Sequence, residues 1–349
     1  MKTGFFDKGR PFVLFKLPDK DSYYSLQQQD EKVHTVSHFN ESGFYLGPFD
    51  FSRHPVLFIP LARSVFKQHK IPHAVRDYIK GCRIKKIPDP DGHRKKVKQA
   101  VSLIENNDSL SKLVISAPFD LHFDFLDMEN FFYAIARAYP GAFVYVWHHP
   151  RAGFAMAGAS PEPLLSFSKL GLTEVMNGAT VSLAGTKFTD ENKNWTDKER
   201  IEQQIVTDYI KRKLFELRLA VTVSAPYDYR QGQLVHLRTD ISFLFPEGNL
   251  IDEILKSLHP TPAVAGMPKE KAVEYIAEIE GYDREYYTGF FGFRQADRGL
   301  FHVNLRSVKI CNKSLRIYAG GGIVRDSNPE AEWNEVLRKT DVMKSLLCK

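Results

Sequence analysis

Cysteine is scarce in this chain. Three residues of 349, Cys82, Cys311 and Cys348, are widely spaced and odd in number, which argues against a disulfide framework. Long apolar runs are also missing. No stretch approaches the ~20 residues of a membrane-spanning helix, so no membrane association is expected. The first twenty residues, MKTGFFDKGRPFVLFKLPDK, interleave charged and apolar side chains and offer no hydrophobic region of a secretory signal; a cytoplasmic protein is expected. Neither sign of charge dominates. The formal net charge of +6 is a mild, scattered excess, apart from a knot at Arg94, Lys95, Lys96 and Lys98. A helix over Gly92–Asn106, with Val97, Ala100, Val101 and Ile104 on its buried side, turns that knot into a solvated face rather than a nucleic-acid patch. The excess also suits an enzyme that draws in a small anion. Repeats, low-complexity segments and Pro/Gly-rich linkers are absent as well, so one large domain is expected.

Aromatic residues are plentiful. With 26 Phe and 15 Tyr, the chain can fill a sizeable core. Strands are predicted at Phe12–Phe15, Gly43–Leu46, Val56–Ile59, Lys112–Ala117, Ala142–Trp147, Phe154–Ala159, Leu164–Phe167, Leu172–Met176 and Thr180–Leu183. Further strands follow at Gln233–Leu244, Tyr287–Gln295, Leu300–Cys311 and Ser314–Ala319. Helices are predicted at Met128–Ala138, Thr196–Arg218, Leu250–Ser257 and Lys269–Ile279, with a terminal one from about Pro329 to Leu347. Consecutive strands joined by short turns imply antiparallel sheets. Long helices between groups of strands imply an α+β fold.

Several segments carry chemistry. Gly320, Gly321 and Gly322, in AGGGIV, read as a Gly-rich turn after a strand, one that permits close backbone approach and leaves amides free to face an anion. No Lys-Ser/Thr pair follows, so this is no P-loop. Ser327-Asn328-Pro329-Glu330 starts a helix, with Ser327 as its expected cap. On that helix Glu332, Glu335 and Lys339 share one face with Val342 and Leu346. Two carboxylates beside a lysine suit a structural ion-pair cluster, or a Mg²⁺ ion completed by water and substrate oxygens. On the helix from Thr196, Ile201, Ile205 and Tyr209 mark the apolar side. Spacing alone leaves Glu202 at its border, as a surface acid. In HPTPAVAG, at His259–Gly266, two prolines stiffen a turn and small residues allow a ligand to approach.

Together these segments resemble a known family. The order HPTPAVAG, EGYDREYYTGFFGF, VNLRSV, AGGGIV and EWNEVLRK is similar to that of the chorismate-binding enzymes, as are ASPE, SLAGTK and LVHLRT upstream. The resemblance runs from about residue 110 to the end. It implies an α+β fold of two layered antiparallel sheets flanked by helices, with residues 106–349 as the chorismate-binding region. Residues 1–105 would be a less familiar N-terminal portion of the same domain. It also implies a small-molecule substrate, chorismate, a Mg²⁺ cofactor and no obligatory protein partner.

Family roles carry over residue by residue. Glu202 and Glu335 match the metal ligands, and Glu332 a nearby acid. Arg306 matches the arginine that grips the side-chain carboxylate. Lys339 and the amides around Gly320–Gly322 add anion contacts, Gly185 and Thr186 line the pocket, and His236 stands near the reacting ring. Lys112 matches the base that activates water, and Glu162 the acid that protonates the departing hydroxyl. Lysine at 112 and Thr261-Pro262-Ala263 resemble the hydroxylating branch, which forms isochorismate. Aminating members carry glutamine at the first position and a different loop at the second; salicylate-forming members share the lysine. Ile201 and Gln203 flank Glu202 where many members have histidines.

Overall fold

The strands Phe12–Lys16, Gly43–Gly47 and Val56–Pro60 bury every side chain, which requires cover on both faces of a sheet. The computed structural model supplies it by stacking two sheets face to face. It describes residues 9–189, 194–231, 234–248 and 250–348; Gln233, the predicted start of one strand, and the first eight residues of the leader reading lie outside them.

Each large sheet has ten strands, nine along a path and one off it (Arg83–Lys86 beside Lys112–His122, Tyr227–Gln231 beside Leu234–Pro246), and every pairing is antiparallel. The path of the first runs Gly266–Met267, Lys112–His122, Ser314–Ile323, Ser307–Cys311, Phe154–Ser160, Phe143–His149, Phe12–Lys16, Ser22–Gln28 and Ser64–Lys70. That of the second runs Val221–Val223, Leu234–Pro246, Val175–Phe188, Pro163–Lys169, Arg298–Val303, Phe290–Gln295, Gly43–Gly47, Val56–Pro60 and His34–Val36. Between the sheets lies an aromatic core of Phe15, Phe44, Phe143, Tyr145, Trp147, Phe291 and Phe293.

Helices cover the outer faces. They are α1 (Pro90–Glu105), α2 (Met128–Ala138), α3 (Asp197–Glu216), α4 (Leu250–Leu258), α5 (Lys269–Glu280) and α6 (Pro329–Leu347). α1, α2, α5 and α6 pack on the first sheet, and α3 and α4 on the second. This is the expected α+β architecture in one domain, and residues before 105 supply strands to both sheets. Among the described residues no helix is long and apolar enough to cross a membrane.

Some local expectations change. The predicted strand Leu300–Cys311 is two strands, in different sheets. The separate strands predicted at 172–176 and 180–183 form one strand, Val175–Phe188, and Leu172 lies fully exposed in the turn before it. α6 is capped by Asn328, which accepts from Glu330 N and Ala331 N, while Ser327 Oγ accepts from Val324 N. The knot on α1 is solvated as expected, with Arg94 forking onto Glu330 at 2.6 and 3.1 Å. The cysteine expectation is corrected: Cys82 and Cys348 form a disulfide across 266 residues of sequence. The end of α6 returns beside the segment of Tyr78, whose hydroxyl donates to Leu346 O, and no spacing rule reveals that encounter.

Candidate active site

Two of the chain's crossings between the sheets lie side by side. Phe154–Ser160 lies in the first sheet and Pro163–Lys169 in the second, so Pro161 and Glu162 span the gap. Arg298–Val303 and Ser307–Cys311 make the return crossing, spanned by Asn304, Leu305 and Arg306. Backbone bonds stitch the crossings together: Val303 N donates to Glu162 O at 3.0 Å and Ala159 N to Arg306 O at 3.2 Å. Arg306 has a φ of 47°, a left-handed conformation that costs a non-glycine residue about 1–3 kcal/mol and recurs at ligand clamps. The two crossings deliver Glu162 and Arg306 to the wall of one cavity.

Glycines form another wall. Gly320, Gly321 and Gly322 are not a turn after a strand; they belong to Ser314–Ile323 and pair with Ser116, Ile115 and Val114. What they provide is close approach. A methyl on Gly321 would lie 2.8 Å from Glu332 Oε2, and one on Gly322 would lie 2.9 Å from Lys112 Cε and 3.0 Å from Glu202 Oε2. Acidic and basic side chains therefore rest directly on the strand.

Those side chains come from three elements. Lys112 opens the strand Lys112–His122, α3 supplies Glu202, and α6 supplies Glu332, Glu335 and Lys339. Lys112 Nζ stands 3.9 Å from Glu202, and Lys339 Nζ 2.5 Å from Glu335 and 3.1 Å from Gly320 O. Lys198, which spacing did not single out, joins α3 to α6. Its Nζ lies 2.6 Å from Glu332 and 3.7 Å from Glu202 one turn along its own helix. The (i, i+4) spacing to Glu202 was its only signal in the sequence.

Burial sets the ionisation of this cluster. Lys112 is 1% exposed, and desolvation pulls its pKa down against the pull of Glu202. Desolvation pushes Glu162 up to about 8, opposed by Lys112 and Lys339. Burial likewise raises Glu202, and raises Glu332 to about 7. Burial acts on Glu335 in the same sense, but Lys339 beside it and Lys198 bring the net shift below the usual value. His236 falls to about 3 through burial and the nearby Arg306 and Lys339, so its imidazole is neutral. Its Nδ1 lies 3.2 Å from both Gly185 O and Thr186 Oγ1.

Gly185 itself sits at a bulge in Val175–Phe188, with φ 72° and the backbone of Glu199 close against it. Ala263 and Val264 add an apolar wall. Thr261 does not reach it: buried below the loop, its carbonyl accepts from Val264 N and Ala265 N, and its Oγ1 has no hydrogen-bond partner.

A pocket edged by the Arg306 guanidinium and the Lys339 ammonium, with Lys112 and Glu162 buried in its wall, suits a small anionic substrate. The model of the family described as "Chorismate binding enzyme" matches residues 62–348. The chain belongs to this family. Isochorismate synthase MenF of Escherichia coli is 31% identical over 266 residues, 74% of this chain and 61% of the relative. The chain thus spans about three-fifths of that relative's length. The solved structure of MenF from Escherichia coli superposes with a TM-score of 0.78 at 22% identity, covering 99% of this chain and 92% of that one. Anthranilate synthase component I of Streptococcus pneumoniae gives 0.70 at 19% identity, covering 98% and 94%. These two likenesses establish the chorismate-binding fold.

Of the residues named from the family motifs, Lys112, Glu162, Gly185, Thr186, Glu202, His236, Ala263, Arg306, Gly320, Gly321, Gly322, Glu335 and Lys339 all line the one cavity. Glu332 is 1% exposed just outside the lining, with Oε2 unpartnered. Glu202 is buried, not at the surface, and Ile201 is the exposed residue. Gln203, in place of a histidine, is held by Ser182, Thr207 and Thr239 through its side-chain amide. Sequence reasoning also passed over Tyr287 and Tyr318, whose rings stack at 4.6 Å on the cavity wall.

The acids fit a hard divalent cation. Glu202 and Glu335 could hold it, with the unpartnered oxygen of Glu332 close by, 2.8 Å from where a Cβ on Gly321 would lie. Among the described residues, no three His, Cys, Asp or Glu side chains converge into a cage. A Mg²⁺ ion, which keeps waters and substrate oxygens and takes one or two carboxylates, asks for no such cage.

Proposed function

We propose that the protein is an isochorismate synthase, converting chorismate to isochorismate by adding water at ring C2 and losing the C4 hydroxyl. One observation carries the reading. Lys112 and Glu162 line the same cavity, and burial drives them toward the neutral amine and the neutral acid that this chemistry requires. Names of relatives such as MenF agree with it.

Lys112 Nζ takes a proton from water as its oxygen bonds to C2. Both ring double bonds shift, C1=C2 to C1=C6 and C5=C6 to C4=C5, the C4–O bond breaks, and Glu162 gives its proton to the departing oxygen, which leaves as water. A proton passing from Lys112 back to Glu162 restores both. Arg306 grips the side-chain carboxylate, with a planar fork suited to it, and Lys339 adds positive charge. His236, neutral, is held by the Gly185 bulge beside the ring. Mg²⁺, held by Glu202 and Glu335, would offset the charge of the ring carboxylate. Ala263, Val264 and Leu183 exclude bulk water from the apolar side.

Incubation of the purified protein with chorismate and Mg²⁺, followed by chromatography, tests the proposal. Isochorismate is the expected product, formed without ammonia. Salicylate with pyruvate would move the protein to the salicylate-forming branch, and an ammonia-dependent amine to the aminating one.

A further inference from the structure

The strand that begins with Lys112 is only partly covered along one edge. Its neighbour, Gly266–Met267, is two residues long and pairs with Leu113 and Lys112. Val114 N still finds Ala265 O at 2.8 Å, but beyond it the chain turns away into the loop that forms the cavity wall. Val114 O and Ser116 N would then face a buried edge with no backbone partner, a costly arrangement.

A buried ion pair takes the place of the missing strand. Arg284 Nη2 donates to Val114 O at 2.7 Å. Ser116 donates to Glu280 Oε1 through its amide at 2.6 Å and its hydroxyl at 2.7 Å. Two bonds join the pair, Nε to Oε2 at 2.9 Å and Nη2 to Oε1 at 2.5 Å. The remaining guanidinium nitrogen donates to Val264 O at 2.8 Å and Thr288 Oγ1 at 3.2 Å. All five N–H groups of Arg284 are thereby used. Both residues are 3% exposed, and the Phe49 ring lies 4.7 Å from the guanidinium.

The partners are not arbitrary. Val114, Val264 and Thr288 all line the active-site cavity, so one rigid fork ties together three of its walls. A buried ion pair is a poor source of net stability, whereas a saturated planar guanidinium is a good source of fixed geometry. We propose that Glu280 and Arg284 are positioning residues. They substitute for an absent strand and hold the Lys112 strand and the Ala263–Val264 loop in register on either side of the substrate. The catalytic part of this inference rests on Lys112 acting as the base.

The test combines hydrogen exchange with kinetics. Arg284→Lys keeps the charge but loses the fork; Leu26→Ala, in the core between the sheets, serves as a destabilised control. In Arg284→Lys, exchange should quicken over residues 112–118 and 261–267 and stay unchanged over 143–149. Its kcat should fall about 10- to 100-fold, as small misplacements at a reacting centre do, with KM for chorismate within about threefold of the wild type. Leu26→Ala should keep its kcat. Unchanged exchange, or a kcat loss no larger than that of the control, overturns the proposal. If Arg284→Lys does not fold, Ser116→Ala carries the same readouts at smaller amplitude, and wild-type exchange with wild-type kcat there overturns it equally. A wild type that does not turn over chorismate would sink the functional reading instead, and the exchange arm would still decide the structural one.

Discussion

A lysine that acts as a base and a glutamic acid that acts as an acid both have to be neutral, and Lys112 and Glu162 are brought toward that state by loss of solvent. The consequence is a pH dependence of definite sign. In the proposed reaction Glu162 must hold its proton, so kcat should fall about tenfold per unit as pH rises beyond about 8. In the same reaction Lys112 must lose its proton, so the acid limb belongs to it. Stability moves with the same carboxyl. Between its ordinary pKa of 4.5 and about 8, Glu162 is protonated in the folded chain and ionised in the unfolded one, so this group's contribution to stability is lost as pH rises through that window. Glu162→Gln should therefore gain in melting temperature relative to the wild type across it, while losing turnover. Gly322 offers an independent check. Its missing Cβ leaves the space in which Lys112 Cε and Glu202 Oε2 lie, so Gly322→Ala should fold yet lose at least about tenfold in kcat/KM. How far such residues are legible in the sequence differs from one to the next. Glu202 reads as a surface acid because Ile201, its apolar neighbour, looks like core. Only the motif order pointed inward, since a helix face that serves a charged site is polar where periodicity expects oil.

Among the elements, α2 is read to the residue, because its N-cap Asp127 and apolar stripe agree. The break at Asn304–Arg306 is not legible. Strong β-formers run on both sides of it, and nothing local tells a strand to leave one sheet for the other. Yet this break and its counterpart at Pro161–Glu162 deliver the site's arginine and its acid. AGGGIV misleads in the opposite sense: three glycines suggest a turn, whereas they form a flat stretch of strand on which carboxylates rest. At the far end of α6 the disulfide between Cys82 and Cys348 closes a loop of 266 residues, for which chain entropy gives about 5 kcal/mol. Reductant should lower the melting temperature by several degrees in calorimetry, and Cys348→Ser should show the lower value with or without it.

For the molecule as a whole, helices, two sheets and helices stack so that the cleft between layers opens where α3 from one side meets α6 from the other, with Lys198 bridging Glu202 and Glu332. The α+β class and the family were legible because several motifs occur in order. The cavity itself was not, because contacts that build it, such as Lys112 with Gly322 and Lys198 with Glu332, join residues more than a hundred positions apart. The central claim of the account is that water supplies the new ring hydroxyl while Lys112 and Glu162 manage its protons. Turnover in water labelled with heavy oxygen, read by mass spectrometry, tests it most directly. The account predicts isochorismate carrying one solvent oxygen on ring C2 after a single turnover; isochorismate that retains only the oxygen of chorismate would contradict it.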